Sequence, residues 1–361
     1  MRTYLDHNAT SPLRPEAKAA MLAAMERTGN PSSVHGEGRA ARKIADDARE
    51  TVARALGVIA PMVVFTSGGS EANNLAIKGV SVDRLLISTT EHPSVIEAAK
   101  ASGKSVETIP VTPDGVIDLD RFRSMLLGPK ALVSVMLANN ETGVIQPVRE
   151  IAALAHAHGA LLHTDAVQAL GKMPVNFALL GADMMTLSAH KLGGPVGAGA
   201  LIVRDGLPIE PLIHGGGQEL RRRAGTENLA GIAGLAAVAS QKPLDVRDLR
   251  NQLESELEGA VIFGSGVERL PNTTCFAMPG MNAETLLMAF DLEGIAVSSG
   301  SACSSGKVAK SHVLAAMGVA PEIANAAIRV SLGWTTTAEN IEHFIAVWRR
   351  IRARHKARQA A

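Results

Sequence analysis

Two cysteines, Cys275 and Cys303, are all that the 361 residues contain. That count excludes a disulfide framework and a cysteine-based zinc site, and it suits a protein whose thiols stay reduced. Aromatic residues make up only 3% of the chain, so stacking platforms for single-stranded nucleic acid are scarce. An excess of one charge sign is missing too. Lys and Arg number 36 against 35 Asp and Glu, so the formal charge of +1 creates no whole-molecule attraction to nucleic acid or to an anionic membrane. No apolar run reaches the length of a membrane span, and the opening residues Met1 to Asp6 do not read as a signal peptide. A cytoplasmic location is therefore expected. The histidines lack ligand spacing such as i, i+4, and no metal is expected.

What is present is an ordinary globular composition, 46% hydrophobic and 20% charged, in a chain long enough for two domains. Helices are predicted from Pro15 through Met25 and from about Gly38 to Leu56, the second ending at Gly57 as a helix that closes on glycine does. From residue 62 onward, apolar runs of strand length alternate with helical segments. The strands are read near Met62 to Phe65, Arg84 to Ser88, Ser105 to Pro110, Ala131 to Leu137, Ala160 to Thr164, Met184 to Ser188 and Ala200 to Val203. This alternation predicts an α/β fold with a largely parallel sheet, whose ligands bind outside the carboxyl ends of the strands. Near Lys242-Pro243 the character shifts, and a second domain begins.

The strand ends carry the chemistry. Met184 to Ser188 runs into Ala189-His190-Lys191-Leu192-Gly193-Gly194, which sets a lysine at the mouth of the sheet, where a partly desolvated amine can act as a Schiff-base nucleophile. Ala160 to Thr164 runs into Asp165-Ala166-Val167-Gln168, an acid and an amide. Pyridoxal phosphate needs a lysine for its aldehyde and a carboxylate against its ring nitrogen, and Lys191 and Asp165 fit those roles. Thr66-Ser67-Gly68-Gly69-Ser70-Glu71 joins a strand to a helix and is a candidate phosphate cradle without P-loop or GxGxxG spacing. His92, just before Pro93, could stack on a flat ring. Asn140 stands at another strand end. Each also has an ordinary reading when taken singly: a loop lysine, a capping acid, a glycine turn, a histidine that opens a helix.

Further along, His214 to Asn228 reads as a flexible, basic loop of the kind that reaches a ligand or another subunit. Cys303 lies in a Ser- and Gly-rich segment, Ser298 to Gly306, whose composition predicts a mobile, exposed loop. Cys275 reads instead as a strand thiol packed as a small hydrophobe. Arg329 falls in the apolar run Ile328 to Leu332, where a charge needs an anionic partner: either a substrate carboxylate or a structural ion pair.

Together these residues and motifs closely resemble, over nearly the whole length, the cysteine desulfurases of the class-V aminotransferase branch of fold-type I pyridoxal-phosphate enzymes. The Ser-Ser-Gly-Ser-Ala-Cys segment is similar to the subgroup with a long catalytic loop. The resemblance implies a large domain, 15 to 242, with a mainly parallel seven-stranded sheet. It implies a smaller α+β domain formed by 1 to 14 and 243 to 361, and a homodimer. It implies Lys191 as the lysine that carries the cofactor, Asp165 as the pyridinium partner, Gln168 as donor to the ring phenolate and His92 as the stacking residue. Phosphate contacts fall by the same resemblance to Gly69, Ser70, Ser188 and His190, with Thr226 reaching the phosphate of a partner subunit. Asn140 and Arg329 resemble the binders of the substrate carboxylate, and Cys303 the sulfur relay. The expected reaction takes L-cysteine to L-alanine and passes the sulfur to an acceptor protein, an iron-sulfur scaffold or a sulfur carrier. A selenocysteine lyase, an ordinary aminotransferase and a non-catalytic protein on this fold are the competing readings. His7 and the three arginines after Leu220 depart from the family's usual pattern.

Overall fold

The computed structural model describes residues 2–299 and 310–360. Their strands, in chain order, are β1 (Thr3–Tyr4), β2 (Val63–Thr66), β3 (Arg84–Ser88), β4 (Ser105–Ile109), β5 (Ala131–Ser134) and β6 (Leu161–Asp165). Then follow β7 (Met184–Ser188), β8 (Gly199–Val203), β9 (Val261–Ile262), β10 (Thr273–Ala277), β11 (Ile295–Ala296) and β12 (Ala327–Ser331). Seven of them form one sheet in the order β2-β8-β7-β6-β5-β3-β4. Only β8 runs against its neighbours, so six carboxyl ends share one edge.

The composition of each strand follows from its place. Every residue of β3, β6, β7 and β8 is buried, as in strands covered on both faces, whereas the edge strand β4 carries exposed Ser105, Glu107 and Thr108. One face packs against the helices Gly69–Gly79 and Pro93–Lys100 through Leu75, Ile77, Val95 and Ala99. The other is covered by the helices Gly36–Leu56, Val148–Ala157 and Leu229–Ala239 through Val52, Ile151 and Leu235. Gly36–Leu56 begins two residues earlier than its apolar pattern suggests, because the His35 ring caps it by accepting from the Gly38 N–H. It ends as expected at Gly57, φ 70°. Strand β4 stops at Ile109, before Pro110, which has no N–H to offer a ladder.

A second core forms around the three-stranded antiparallel sheet β12-β10-β9. It gathers many of the chain's few aromatics: Phe276 meets Trp348 edge-on at 5.4 Å and Phe290 stacks on Phe344 at 5.0 Å. The first residues join this part, for β1 pairs with β11 and Leu5 is buried in the same core.

Candidate active site

A cavity of about 350 Å³ opens where the strands of the large sheet end, and the N-terminal segment and β12 close its other side. Asp165, Gln168, His92, Gly69, Ser70, Ser188, His190, Lys191, Asn140 and Arg329 all line it. Residues more than 230 positions apart in sequence thus converge on one space.

At one end, β2 finishes at Thr66 and the chain enters the helix Gly69–Gly79 through Gly68, φ 152°, with no side-chain cap among the described residues. A helix start of this kind favours an anion. The turn can lie this low because β8 begins with glycine: a Cβ on Gly199 would sit 2.7 Å from the Gly68 Cα. Ser188 and His190 stand at the same end. Burial, reinforced by the charges of Lys191 and Lys172, lowers the His190 pKa to about 4, so its ring is neutral at pH 7 and its Nδ1 pairs with the Thr10 hydroxyl at 3.2 Å.

Across the cavity, Asp165 is only 6% exposed at the tip of β6. One carboxylate oxygen accepts from the Val167 N–H at 2.9 Å and the other from the Asn73 amide at 2.8 Å, so the carboxylate is held in one orientation. The Asn73 amide also donates to Ser94 at 2.8 Å. Ser94 in turn bonds His92, whose Nδ1 caps the helix Pro93–Lys100 by accepting from the Ser94 N–H at 3.1 Å. Burial lowers the His92 pKa; Asp165 opposes this, while Lys191 and His312 add to it. Beneath lies Glu91, fully buried, its carboxyl held well above the usual carboxylate range by burial and by the nearby Asp165.

Lys191 ends a short 3₁₀ turn, Ala189–Lys191, and its Nζ donates to the carbonyls of Asn8 at 2.8 Å and Ala9 at 2.7 Å. Gln168 donates to the same Asn8 carbonyl at 2.9 Å. On the far side, Arg329 donates from Nη1 to the Asn140 carbonyl at 3.0 Å and from Nη2 to Asp6 at 2.6 Å. The structural ion pair considered for Arg329 is therefore present, with Asp6 as partner. Its buried Nε has no protein partner among the described residues, and the guanidinium faces the cavity.

Thr226, expected to reach the phosphate of a partner subunit, is not among the residues that line this space. Thr226 lines a separate hollow with Thr66, Arg223 and Glu227. Cys303 lies outside the described residues; on either side of its segment, Ser298 exchanges backbone hydrogen bonds with Arg329 and Ser311 donates to Glu141 at 2.6 Å. The loop around Thr226 is tied down more firmly than its composition suggests. Glu219, side chain 2% exposed, receives two bonds from Arg49 at 2.7 Å and one from the Phe65 N–H at 2.8 Å. Glu219, Leu220 and Arg221 all take positive φ there, 47°, 55° and 65°.

Sequence reasoning missed Asn8, Asn73, Glu91 and Lys172. Asn73 and Lys172 had a usable signal: a polar residue on an otherwise buried helix face, and a lysine four residues after Gln168. Asn8 had none, because only the docking of the first residues onto the sheet brings it to Lys191.

Residues 3–344 match the family model described as aminotransferase class-V. A cysteine desulfurase of Cereibacter sphaeroides is 45% identical over 366 residues, covering 96% of this chain and 94% of that protein. The cysteine desulfurase IscS of Dictyoglomus turgidum is 41% identical over 369 residues, covering 96% and 94%. Among solved structures, the NifS-like protein from Rickettsia africae superposes with a TM-score of 0.90 at 37% identity, covering 98% of this chain and all of that one. A structure described as SspA in complex with cysteine superposes at 0.82 with 32% identity, covering 91% and 98%. With sequence, fold and cavity in agreement along almost its full length, the chain belongs to the class-V aminotransferase family and, within it, to the cysteine desulfurases.

Proposed function

We propose that this chain binds pyridoxal phosphate in the cavity, removes the sulfur of L-cysteine and carries it as a persulfide on Cys303 until an acceptor protein takes it. The observation that bears most weight is the convergence on one cavity of Lys191, the oriented Asp165 carboxylate, the uncapped Gly69-Ser70 helix start and Arg329. These residues fit the cofactor's parts. The glycine turn with Ser188 and His190 suits a phosphate, Asp165 a protonated ring nitrogen, the Gln168 amide a phenolate, and the flat neutral ring of His92 a stacking face. Bound there, the cofactor would supply an electron sink for the pair left at the substrate Cα.

The side chains have separate tasks. Arg329 and Asn140 bind the substrate carboxylate, and Asp6 keeps the guanidinium from rotating away. The Lys191 amine moves the proton at the substrate Cα, with the Asn8 and Ala9 carbonyls setting its resting position. The Cys303 thiolate attacks the substrate sulfur, so that an S–S bond forms as the C–S bond breaks. The thiol's proton is balanced by the one that completes alanine. Thr226 belongs to the phosphate site of a second copy, which accounts for its absence from the cavity of its own chain. The same reading divides the chain into a large domain, 15 to 242, and a small one from 1 to 14 and 243 to 361, supported by the separate cores. It places the protein in the cytoplasm, on its two-cysteine composition.

The test is to incubate the protein with cysteine and pyridoxal phosphate and to assay alanine and protein-bound persulfide together. Equal amounts of both in a single turnover are expected, with persulfide lost in Cys303→Ser and retained in Cys275→Ser. Persulfide mapped to Cys275, or undiminished sulfur release from Cys303→Ser, would overturn the relay.

A further inference from the structure

Beneath Gln168 and Asn8 lies a lysine with no part in the roles above. Lys172 is 8% exposed, and its amine donates to the Gln168 side-chain carbonyl and, at 2.8 Å, to the Asn8 side-chain carbonyl. A lysine amine at these contacts only donates, so both amides must turn their oxygens toward it and their NH₂ groups away. The consequences can be followed bond by bond. The Gln168 NH₂ points to the cavity and the Asn8 backbone carbonyl, the acceptor that also holds the Lys191 Nζ. The Asn8 NH₂ donates to Thr273 at 2.9 Å and to the Asn140 carbonyl at 3.3 Å, the acceptor that also holds Arg329. Asn272 adds a second donor to the Asn8 side-chain oxygen at 3.1 Å.

We infer that Lys172 is a positioning residue: it sets the orientation of the Gln168 and Asn8 amides and so couples the Lys191 end of the cavity to the Arg329 end. The charged groups acting on its amine are Lys191 and Arg329, and burial together with these two cations lowers its pKa well below the lysine range. An amide held this way offers the cavity a donor with no cost of reorientation when a ligand arrives, which is the usual benefit of a residue that supports a ligand-binding side chain from behind.

The inference rests on the pyridoxal-phosphate reading, and the test separates the two. Full-length protein, Lys172→Met, Gln168→Ala and the double variant are each titrated with pyridoxal phosphate, recording the Kd and the visible absorption band. Lys172→Met should raise the Kd about tenfold and displace the band, since losing a supporting contact of this kind typically costs 10–100-fold. Adding Lys172→Met to Gln168→Ala should change neither quantity further, because the lysine reaches the cofactor's end of the cavity through that amide, while its Asn8 contact leads to the Arg329 end. A lysine that merely fills space would give additive losses and leave the band in place, and that result overturns the inference. Should Lys172→Met fail to fold, Lys172→Gln, which keeps a donor, should restore the wild-type band, and an unrestored band counts against the inference. Absence of cofactor binding by the unmodified protein would instead remove the pyridoxal-phosphate reading itself.

Discussion

At the scale of single residues, the site depends on groups that never touch a reacting atom. Asn73 illustrates this. Its amide gives hydrogens to both Asp165 and Ser94, so one side chain orients the carboxylate and, through Ser94, the His92 ring. Replacing Asn73 by Ala leaves a buried carboxylate oxygen short of a donor, at a cost of about 1–3 kcal/mol. We expect the Kd for pyridoxal phosphate to rise roughly tenfold, as for other supporting contacts, while the far-ultraviolet circular dichroism stays unchanged. An unaltered Kd in Asn73→Ala would show that the Val167 N–H alone holds Asp165 in place. Asp165 and Lys191 were legible in the sequence because each closes an apolar strand run; Asn73 carried only the signal of a polar residue on a buried helix face, which does not reveal a partner 92 positions away.

At the scale of elements, three neighbouring strands are joined by a residue inside the sheet. His163 on β6 bonds Ser134 on β5 at 2.9 Å through Nδ1 and Thr186 on β7 at 3.0 Å through Nε2. Its ring is fully buried, and desolvation, partly opposed by Asp165, lowers its pKa to about 4. In the unfolded chain it would titrate near 6.5. Between pH 6.5 and pH 4 the unfolded state therefore holds more protons than the folded one, so stability present above pH 6.5 is lost as pH falls through that window. The full loss from this one ring is about 3 kcal/mol. His163→Gln should be less stable at pH 7 yet show a flatter decline between pH 6.5 and 4, read from urea unfolding at several pH values. An identical decline in both proteins would assign the acid limb to other groups, among them His7 and His190, whose pKa values are also lowered to about 4.

At the scale of the whole molecule, the loop from Gln218 to Thr226 is built to face outward. The buried Arg49–Glu219 pair anchors its base, yet Leu220 combines a positive φ with 58% exposure, and Thr226 lies apart from the cavity of its own chain. Local strain of this kind persists where surroundings over-determine it. If a second copy supplies them, dilution below the dimer dissociation constant should weaken pyridoxal phosphate binding. Thr226→Ala should raise the Kd about 10–100-fold, the value of one hydrogen bond to a charged group. A monomer with full activity in analytical ultracentrifugation, or an unchanged Kd in Thr226→Ala, would remove the partner subunit from the site.

The alternation of apolar runs and helical segments was enough to determine the α/β class and the edge of the sheet where function lies, because strand periodicity and strand-end chemistry are local properties of a chain. The strand ends likewise marked Lys191, Asp165, Gln168 and the Gly69-Ser70 turn before any contact was visible. The N-terminal residues were different. Nothing local in Asp6-His7-Asn8 shows that Asp6 pairs with Arg329 or that the Asn8 carbonyl receives Lys191. Those contacts exist only because β1 pairs beside β11, and that docking brings the chain's first residues over the sheet. The buried lysine beneath Gln168 belongs to the same class. Its amine could pair inside the protein only after folding placed two amide oxygens around it, so only the tertiary structure could decide whether it was a surface charge or a fixed donor.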